Sequence, residues 1–447
     1  MTKKNSASLE IGGKTLTLEI GELALQATSS VLARLGDTMV LVTVVEGKER
    51  TDIDYFPLTV EYVERLYAGG RIKGSRWVKR EGRPSDDAIL TARLIDRSIR
   101  PLFPKDYKKE VQIMVTVLSV DGENSPDVLS IVASSAALAI SRIPWKGPVG
   151  AVRIGYVKDP SSRSAGSGQA FLINHGAQES ELSDLDLVVT QLKDKALMIE
   201  AGALQVSEEI VLEAIKRAQI ENNKIIDFIE DFAKKTGAKK GTVSKDSQFE
   251  EFLMRLDKSY KDDIVALVKN RVNKESSGDS SDLIDKIVEQ EKISDQEFSI
   301  DKKVIAKAVE YILFKSIRET TLKKGIRPDG RRIDEIRPIS GQVSVLPRTH
   351  GSAIFQRGDT QALTVVTLGS PRLEQLIESA EGEESKRYIH HYSMPPYSLG
   401  ETGRIGVPSR REIGHGALAE RALWAVIPKQ EKFPYTCLLY TSPSPRD

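Results

Sequence analysis

The sequence predicts an α+β protein made of two copies of one domain, the second incomplete, joined by an all-helical domain. Three observations carry this. Strand-rich runs broken by Gly-Gly or Gly-Asp pairs fill the chain to residue 206 and return at Arg337. From 207 to 324 the strand signal fades, and apolar residues such as Ile225, Ile226, Ile229 and Phe232 recur at helical spacing among Lys, Glu and Asp. The two strand-rich parts also match in order. Gly358-Asp359-Thr360 stands 322 residues after Gly36-Asp37-Thr38, and Gly406, Pro408, Ser409, Glu420-Arg421 and Pro428 stand 324 residues after Gly82, Pro84, Ser85, Asp96-Arg97 and Pro104. Several anchors in one order indicate a duplication.

Taken in order, Ser8 to Leu18 alternates around Gly12-Gly13 and predicts a hairpin. Val31 to Val45 predicts a second around Gly36-Asp37, and Val111 to Val120 a buried strand. Asp127 to Ile140, small and apolar, predicts a buried helix. Strands are expected over Val149 to Val157 and Ala170 to Ile173, joined by the loop Ser161 to Gly168. A hairpin over Leu185 to Glu200 turns at Lys193-Asp194-Lys195. Ser207 is placed as the cap of the next helix, with Glu208 and Glu209 in its first turn, where acidic groups favour the helix dipole. Ser276 to Ser281 is a polar break between helices. Ser352 to Val366 repeats the hairpin of Ser30 to Val44. The expected domains are therefore 1–206, 207–324 and 325–436, with 437–447 as a non-native tail.

The chain has 447 residues, 40% hydrophobic and 29% charged, an ordinary globular composition. Its net charge is +1, so any nucleic-acid surface has to be local. A single cysteine, Cys437, excludes a disulfide framework and a cysteine metal site. The N-terminus has no apolar signal region and no stretch is long enough to cross a bilayer, so a cytoplasmic protein with no membrane partner is expected.

Two stretches carry candidate chemistry. In R-I-G-V-P-S-R-R-E-I-G-H-G, from Arg404 to Gly416, Ser409 caps a helix whose first turn holds Arg410 and Arg411. Cations there oppose the helix dipole, so an incoming anion is the natural counterpart, and guanidiniums clamp phosphate oxygens in pairs. His415 follows four or five residues on. The first copy has Asp86-Asp87 where the second has Arg410-Arg411, so the two sites cannot be equivalent. The first copy instead carries R-W-V-K-R, from Arg76 to Arg80, inside a run from Arg65 to Arg100 with 10 basic residues against 4 acidic. Arg93, Arg97 and Arg100 share a helical face. Cations with an interleaved ring suit single-stranded nucleic acid; the alternative is a surface loop with Trp77 packed on the body.

At these motifs the chain resembles the polynucleotide phosphorylase family from Leu9 to Thr436. The pieces are F-P-L-T-V-E-Y, Y-A-G-G-R-I, R-E-G-R-P-S, A-R-L-I-D-R-S-I-R-P-L-F-P, R-P-D-G-R, V-L-P-R-T-H-G-S-A, F-Q-R-G-D-T-Q-A-L, P-P-Y-S-L-G-E-T-G and P-S-R-R-E-I-G-H-G. The resemblance implies two ribonuclease PH-type domains joined by a helical domain. It implies ring-shaped homotrimers that degrade single-stranded RNA from the 3′ end with inorganic phosphate and Mg2+, releasing nucleoside diphosphates, in mRNA turnover. It gives Arg410, Arg411 and His415 catalytic roles, and Arg76, Trp77, Lys79, Arg80, Arg83, Arg93, Arg97 and Arg100 RNA contacts. The Trp77 loop stands where the family has a pore constriction, but with one aromatic instead of two and Lys for one Arg. After Thr436 the tail C-L-L-Y-T-S-P-S-P-R-D resembles translated sequencing adaptor. The family's serine-rich phosphate loop, its metal-binding aspartates and its KH and OB domains are thus expected to lie beyond a truncation, leaving a fragment without activity. The competing reading is a non-catalytic RNA-binding scaffold subunit of an exosome-like ring.

Overall fold

The computed structural model describes residues 4–50, 53, 55–75, 77, 79–158, 171–243, 247–261, 263–264, 266, 280–294, 302–403 and 405–442. It divides into two compact units, one of Met1–Val243 with Ser340–Asp447, the other of Ser244–Ile339.

In the first copy, β1 (Asn5–Ile11) and β2 (Lys14–Ile20) form the first expected hairpin, and β3 (Ser29–Leu35) and β4 (Thr38–Glu49) the second. Gly36 turns the latter at φ +61°, a backbone region that side chains other than glycine resist. β5 (Leu58–Val63) and β6 (Lys109–Ser119) run parallel and complete a six-stranded sheet in the order β1-β2-β3-β4-β6-β5. Between them lies α1 (Asp86–Ile99). Helix α2 (Pro126–Ile140), buried nearly all round, lies between this sheet and a second one. The second sheet has the order β10-β9-β7-β8, from β7 (Gly150–Tyr156), β8 (Phe171–Ile173), β9 (Leu185–Gln191) and β10 (Ala196–Ala203). A short helix, α3 (Ala177–Glu181), precedes β9. The loop Ser161 to Gly168 lies outside the described residues.

Helix α4 (Glu208–Thr236) corrects the boundary expected at 207. Its apolar face, Ala214, Ala218, Ile225, Ile229 and Phe232, is buried in the same core as α2 and β7. At Gly150 of β7 an added methyl would stand 2.6 Å from the Asn222 carbonyl oxygen of α4. The helix closes the first domain, and the compact unit ends at Val243 instead. Ser207 does precede the first turn, but its hydroxyl accepts no capping bond from the backbone.

In the second unit α5 (Ser247–Ser259), α6 (Ser280–Ser294) and α7 (Lys302–Lys324) gather around Leu256, Ile287, Ile305, Ala308 and Ile312. Of the expected break, Ser280 and Ser281 begin α6, and residues 276–279 lie outside the described residues.

The second copy repeats the strand order of the first. β11 (Ile339–Val343), β12 (Gly351–Arg357), β13 (Thr360–Gly369), β16 (Tyr388–Tyr392) and β17 (Thr436–Ser442) are ordered β11-β12-β13-β17-β16, as β2-β3-β4-β6-β5 are. The parallel pair β5–β6 recurs as β16–β17. Helix α8 (Arg410–Trp424) stands where α1 stands. Residues to Ser442 of the stretch expected as a tail form a central strand, its Cys437 buried opposite Leu368 and Tyr388. Among the described residues no helix covers β12 and β13 as α2 covers β3 and β4, and their side chains stay half-buried. The hairpin of β14 (Gln375–Glu378) and β15 (Glu383–Lys386) reaches back to the first copy: Ala380 enters its core and donates its N–H to Glu64 at 2.7 Å.

Ile229 tests the corrected boundary. Truncating this fully buried side chain to Ala is expected to cost about 2–5 kcal/mol. Because Trp145 is buried in the same core, its fluorescence should report the loss as a lower urea midpoint. A helix folding apart from this core would leave the Trp145 transition in place.

Candidate anion-binding groove

The site is built where α1 and α8 pack on each other. Both helices start from a serine of the repeated G-x-P-S turn. Ser85 Oγ accepts from the Ala88 N–H at 3.1 Å, and Ser409 Oγ accepts from the Glu412 N–H at 3.2 Å. Only the second carries a reciprocal capping box, in which Glu412 accepts the Ser409 N–H at 2.7 Å. The other Glu412 oxygen accepts the Met394 N–H at 2.8 Å and ties the helix start to the chain after β16. Burial works against the Glu412 charge, but these backbone donors hold its carboxyl below the usual glutamate range.

An open pocket of about 280 Å³ lies between the helices, lined by Val60, Ala92, Arg93, Asp96, Arg97, Arg100 and Arg410. Arg410 reaches back to β5: its Nη1 donates to the Val60 carbonyl at 2.9 Å and its Nη2 to both Glu61 oxygens at 2.6 Å. Arg97 Nη1 donates to Glu200 Oε2 at 2.6 Å, and Arg421 Nη1 to the other oxygen at 2.9 Å. Arg421 is the repeat counterpart of Arg97, so one carboxylate of β10 joins equivalent arginines of the two copies. Arg100 bonds Asp96 at 2.6 Å and the Leu58 carbonyl at 3.0 Å. Arg93 lies across α8, where a methyl at Gly414 would stand 2.5 Å from its Nε. Burial, then Arg97 and Arg411 among its neighbours, pull the Arg93 pKa below its ordinary value. Counting Arg411 and the Glu412 carboxylate of the same turn, six guanidiniums face four carboxylates, Glu61, Asp96, Glu200 and Glu412. The excess is positive, and an anion is the species that relieves it.

The expected residues are brought together selectively. Arg93, Arg97, Arg100 and Arg410 share the pocket. Arg411 is exposed beside it. His415 is exposed too, its ring 4.7 Å from that of Tyr392 on β16, and does not line the pocket. Arg410 and Gly414 share one helical face and Arg411 and His415 the next, which is why the adjacent arginines are not equivalent. Trp77 projects into solvent, 88% exposed, instead of packing on the body. Lys79 donates to the Lys73 carbonyl at 2.8 Å, and Arg80 and Arg83 are exposed. Arg76 lies outside the described residues. The sequence reading missed Glu61, Glu200, Arg421 and Gly414. Arg421 left a signal through its repeat match to Arg97, and Glu61 and Gly414 stood inside quoted motifs without a role; Glu200 left none.

The profile of the 3′ exoribonuclease family, domain 1, matches residues 12–144 and again 335–440, and that of domain 2 matches 147–221. The duplication thus falls on two matches to one domain, and the domain 2 match runs into α4. The polyribonucleotide nucleotidyltransferase of Caldicellulosiruptor bescii is 46% identical over 447 residues, covering 96% of this chain and 60% of that protein. That of Roseiflexus castenholzii is 45% identical, covering 97% of this chain and 57% of its own length. The chain therefore spans about 60% of the curated relatives it matches. Among solved structures, rice (Oryza sativa) Rrp46 aligns with 52% of this chain and 95% of its own, at a TM-score of 0.38 and 15% identity.

Glu200 gives the groove a pH dependence. Burial raises its pKa, but Arg421 and then Arg97 outweigh it, and the carboxyl ends below its ordinary value. A depressed carboxylate stabilises above its unfolded pKa, about 4.3, and that contribution is lost as pH falls through the folded value. The melting-temperature gap between the native protein and Glu200→Gln should be constant above that range and close below it. A gap unchanged into strong acid would show that Glu200 does not carry the bridge.

Proposed function

The chain belongs to the 3′ exoribonuclease family, and from that premise we propose that it is part of a phosphorolytic enzyme that shortens single-stranded RNA from its 3′ end. An oxygen of inorganic phosphate attacks the phosphorus of the last phosphodiester. The bond to the 3′-oxygen of the preceding nucleotide breaks, that oxygen takes a proton, and the terminal nucleotide leaves as a nucleoside diphosphate. Nucleophile, substrate and transition state are all anionic, so placed cations do most of what a protein can do here. The observation that supports this reading is the excess of guanidiniums over carboxylates between α1 and α8. In the proposal Arg410 and Arg411 hold oxygens of both the inorganic phosphate and the terminal phosphodiester of the RNA, Arg93, Arg97 and Arg100 track the RNA backbone, and His415 assists beside Arg411.

A divalent cation was expected with this chemistry. Among the described residues no group of three or more His, Cys, Asp or Glu is arranged to hold one, so no step is assigned to it. Among them, too, no helix is long and apolar enough to cross a membrane. Assembly as a homotrimer around an RNA channel, with the Trp77 loop facing that channel, and a role in cytoplasmic mRNA turnover belong to the same proposal. The scaffold alternative needs an RNA-binding surface but no phosphate-dependent chemistry, which makes release of diphosphates the discriminating measurement.

In a protein of the relatives' full length, Arg410→Ala with Arg411→Ala should abolish most phosphate-dependent diphosphate release while circular dichroism stays native. Bonds to charged groups are worth about 1.5–3 kcal/mol each, so losing one from each arginine should weaken RNA binding about a hundredfold or more. Wild-type phosphorolysis in the double variant would refute the site. Replacing Trp77, Lys79 and Arg80 by Ala should weaken long RNA more than short oligonucleotides, by about tenfold for one lost stacking contact. Affinity and salt slope left unchanged would remove the loop from the RNA path.

A further inference from the structure

We infer that Glu61, on β5 of the first copy, is a positioning residue for Arg410 of the second. This rests on the reading of the groove as an RNA and phosphate site. The argument is geometric. Both carboxylate oxygens of Glu61 lie 2.6 Å from Arg410 Nη2, and the neighbouring Val60 carbonyl lies 2.9 Å from Nη1. Two consecutive residues of one strand thus grip two nitrogens of the guanidinium and fix its plane. A guanidinium has five N–H donors in a rigid fork. The two hydrogens of Nη2 diverge too widely to point at both oxygens of one carboxylate, so Glu61 shares a single N–H; β5 takes two donors and leaves Nε–H, one Nη1–H and one Nη2–H for an anion.

Glu61 is not among the residues lining the pocket, whereas Arg410 is, so the carboxylate is placed to hold the guanidinium rather than to fill the pocket. It grips Arg410 from behind. Without it, a side chain 44% exposed would sample several rotamers, and each anion would bear the entropy of ordering it. The grip also offsets the cost of an arginine in the first turn of α8, where the helix dipole repels it. Glu61 is itself a third exposed, on a strand bonded along its length to β6. Its substitution is therefore not expected to unfold the domain.

The test is a double-variant cycle on the 447-residue chain, read by the anisotropy of a fluorescein-labelled single-stranded oligoadenylate across a salt series. Glu61→Ala is expected to weaken binding about fivefold, within the range for residues of one ion-pair network. It should also flatten the salt slope by about 0.7, one phosphate contact on single-stranded nucleic acid. Glu61→Gln, which keeps an oxygen for Nη2, should recover part of both. In an Arg410→Gln background Glu61→Ala should add nothing. Tighter binding in Glu61→Ala would make Glu61 a competing counter-ion and overturn the inference. Equal losses with and without Arg410 would reduce Glu61 to a structural role and overturn it too. If Arg410→Gln weakens RNA binding but Glu61→Ala does not, this inference alone falls. If Arg410→Gln changes nothing, the groove reading falls and takes the inference with it.

Discussion

The shared carboxylate of Glu200 is the constraint on which the groove depends. Packing α1 against α8 brings two copies of one helix face to face, and each copy carries an arginine at the equivalent position, Arg97 and Arg421. Two guanidiniums at such an interface repel unless an anion stands between them. Glu200 supplies it, one oxygen to each. With that pair held, Arg93 can lie on the backbone of α8 at Gly414, and Arg410 can swing toward β5. The hairpin that ends in β10 thus serves the helices as much as its own sheet.

The duplication kept its frame and changed its charge. The hydroxyls of Ser85 and Ser409 each accept the N–H three residues on, and the strands around them have the same order. The residues after the cap are Asp86-Asp87 in one copy and Arg410-Arg411 in the other. Carboxylates in a first turn agree with the dipole and need no further support. Arginines there need compensation, and the second copy has it. Glu412 places a carboxylate in the same turn, accepting the N–H groups of Ser409 and Met394, and Glu61 grips Arg410 from outside the helix.

What the sequence made legible was local or repeated. Gly12-Gly13, Gly36-Asp37 and Gly358-Asp359 marked hairpins because a tight turn needs a residue that tolerates positive φ. Ser409 marked a helix start because a hydroxyl there can accept from the backbone. The repeat made α8 the counterpart of α1. The rest depended on pairings across hundreds of residues. Glu61 and Arg410 belong to different copies and share no motif. Glu200 reads as one more charge on a strand. Helix α4 has the texture of a surface helix, and only its fit against Gly150 and α2 assigns it to the first domain. Strand β17 was not read from the sequence, although C-L-L-Y-T-S has the apolar and aromatic content that a central strand needs.

Gly414 and Gly416 show how little room this arrangement leaves. A methyl at Gly414 would displace the Arg93 guanidinium, and one at Gly416 would stand 3.0 Å from the His390 carbonyl of β16. Glycine costs about 1 kcal/mol in a helix interior relative to Ala, and α8 bears that twice within three residues. What it gains is close approach on two sides: α1 with its arginine on one, β16 on the other. Neither copy holds the pocket alone, since Arg93, Arg97 and Arg100 come from the first and Arg410 from the second. The first copy has Asp86-Asp87 at its own helix start, and it contributes instead the arginines spaced along α1 that face the start of α8.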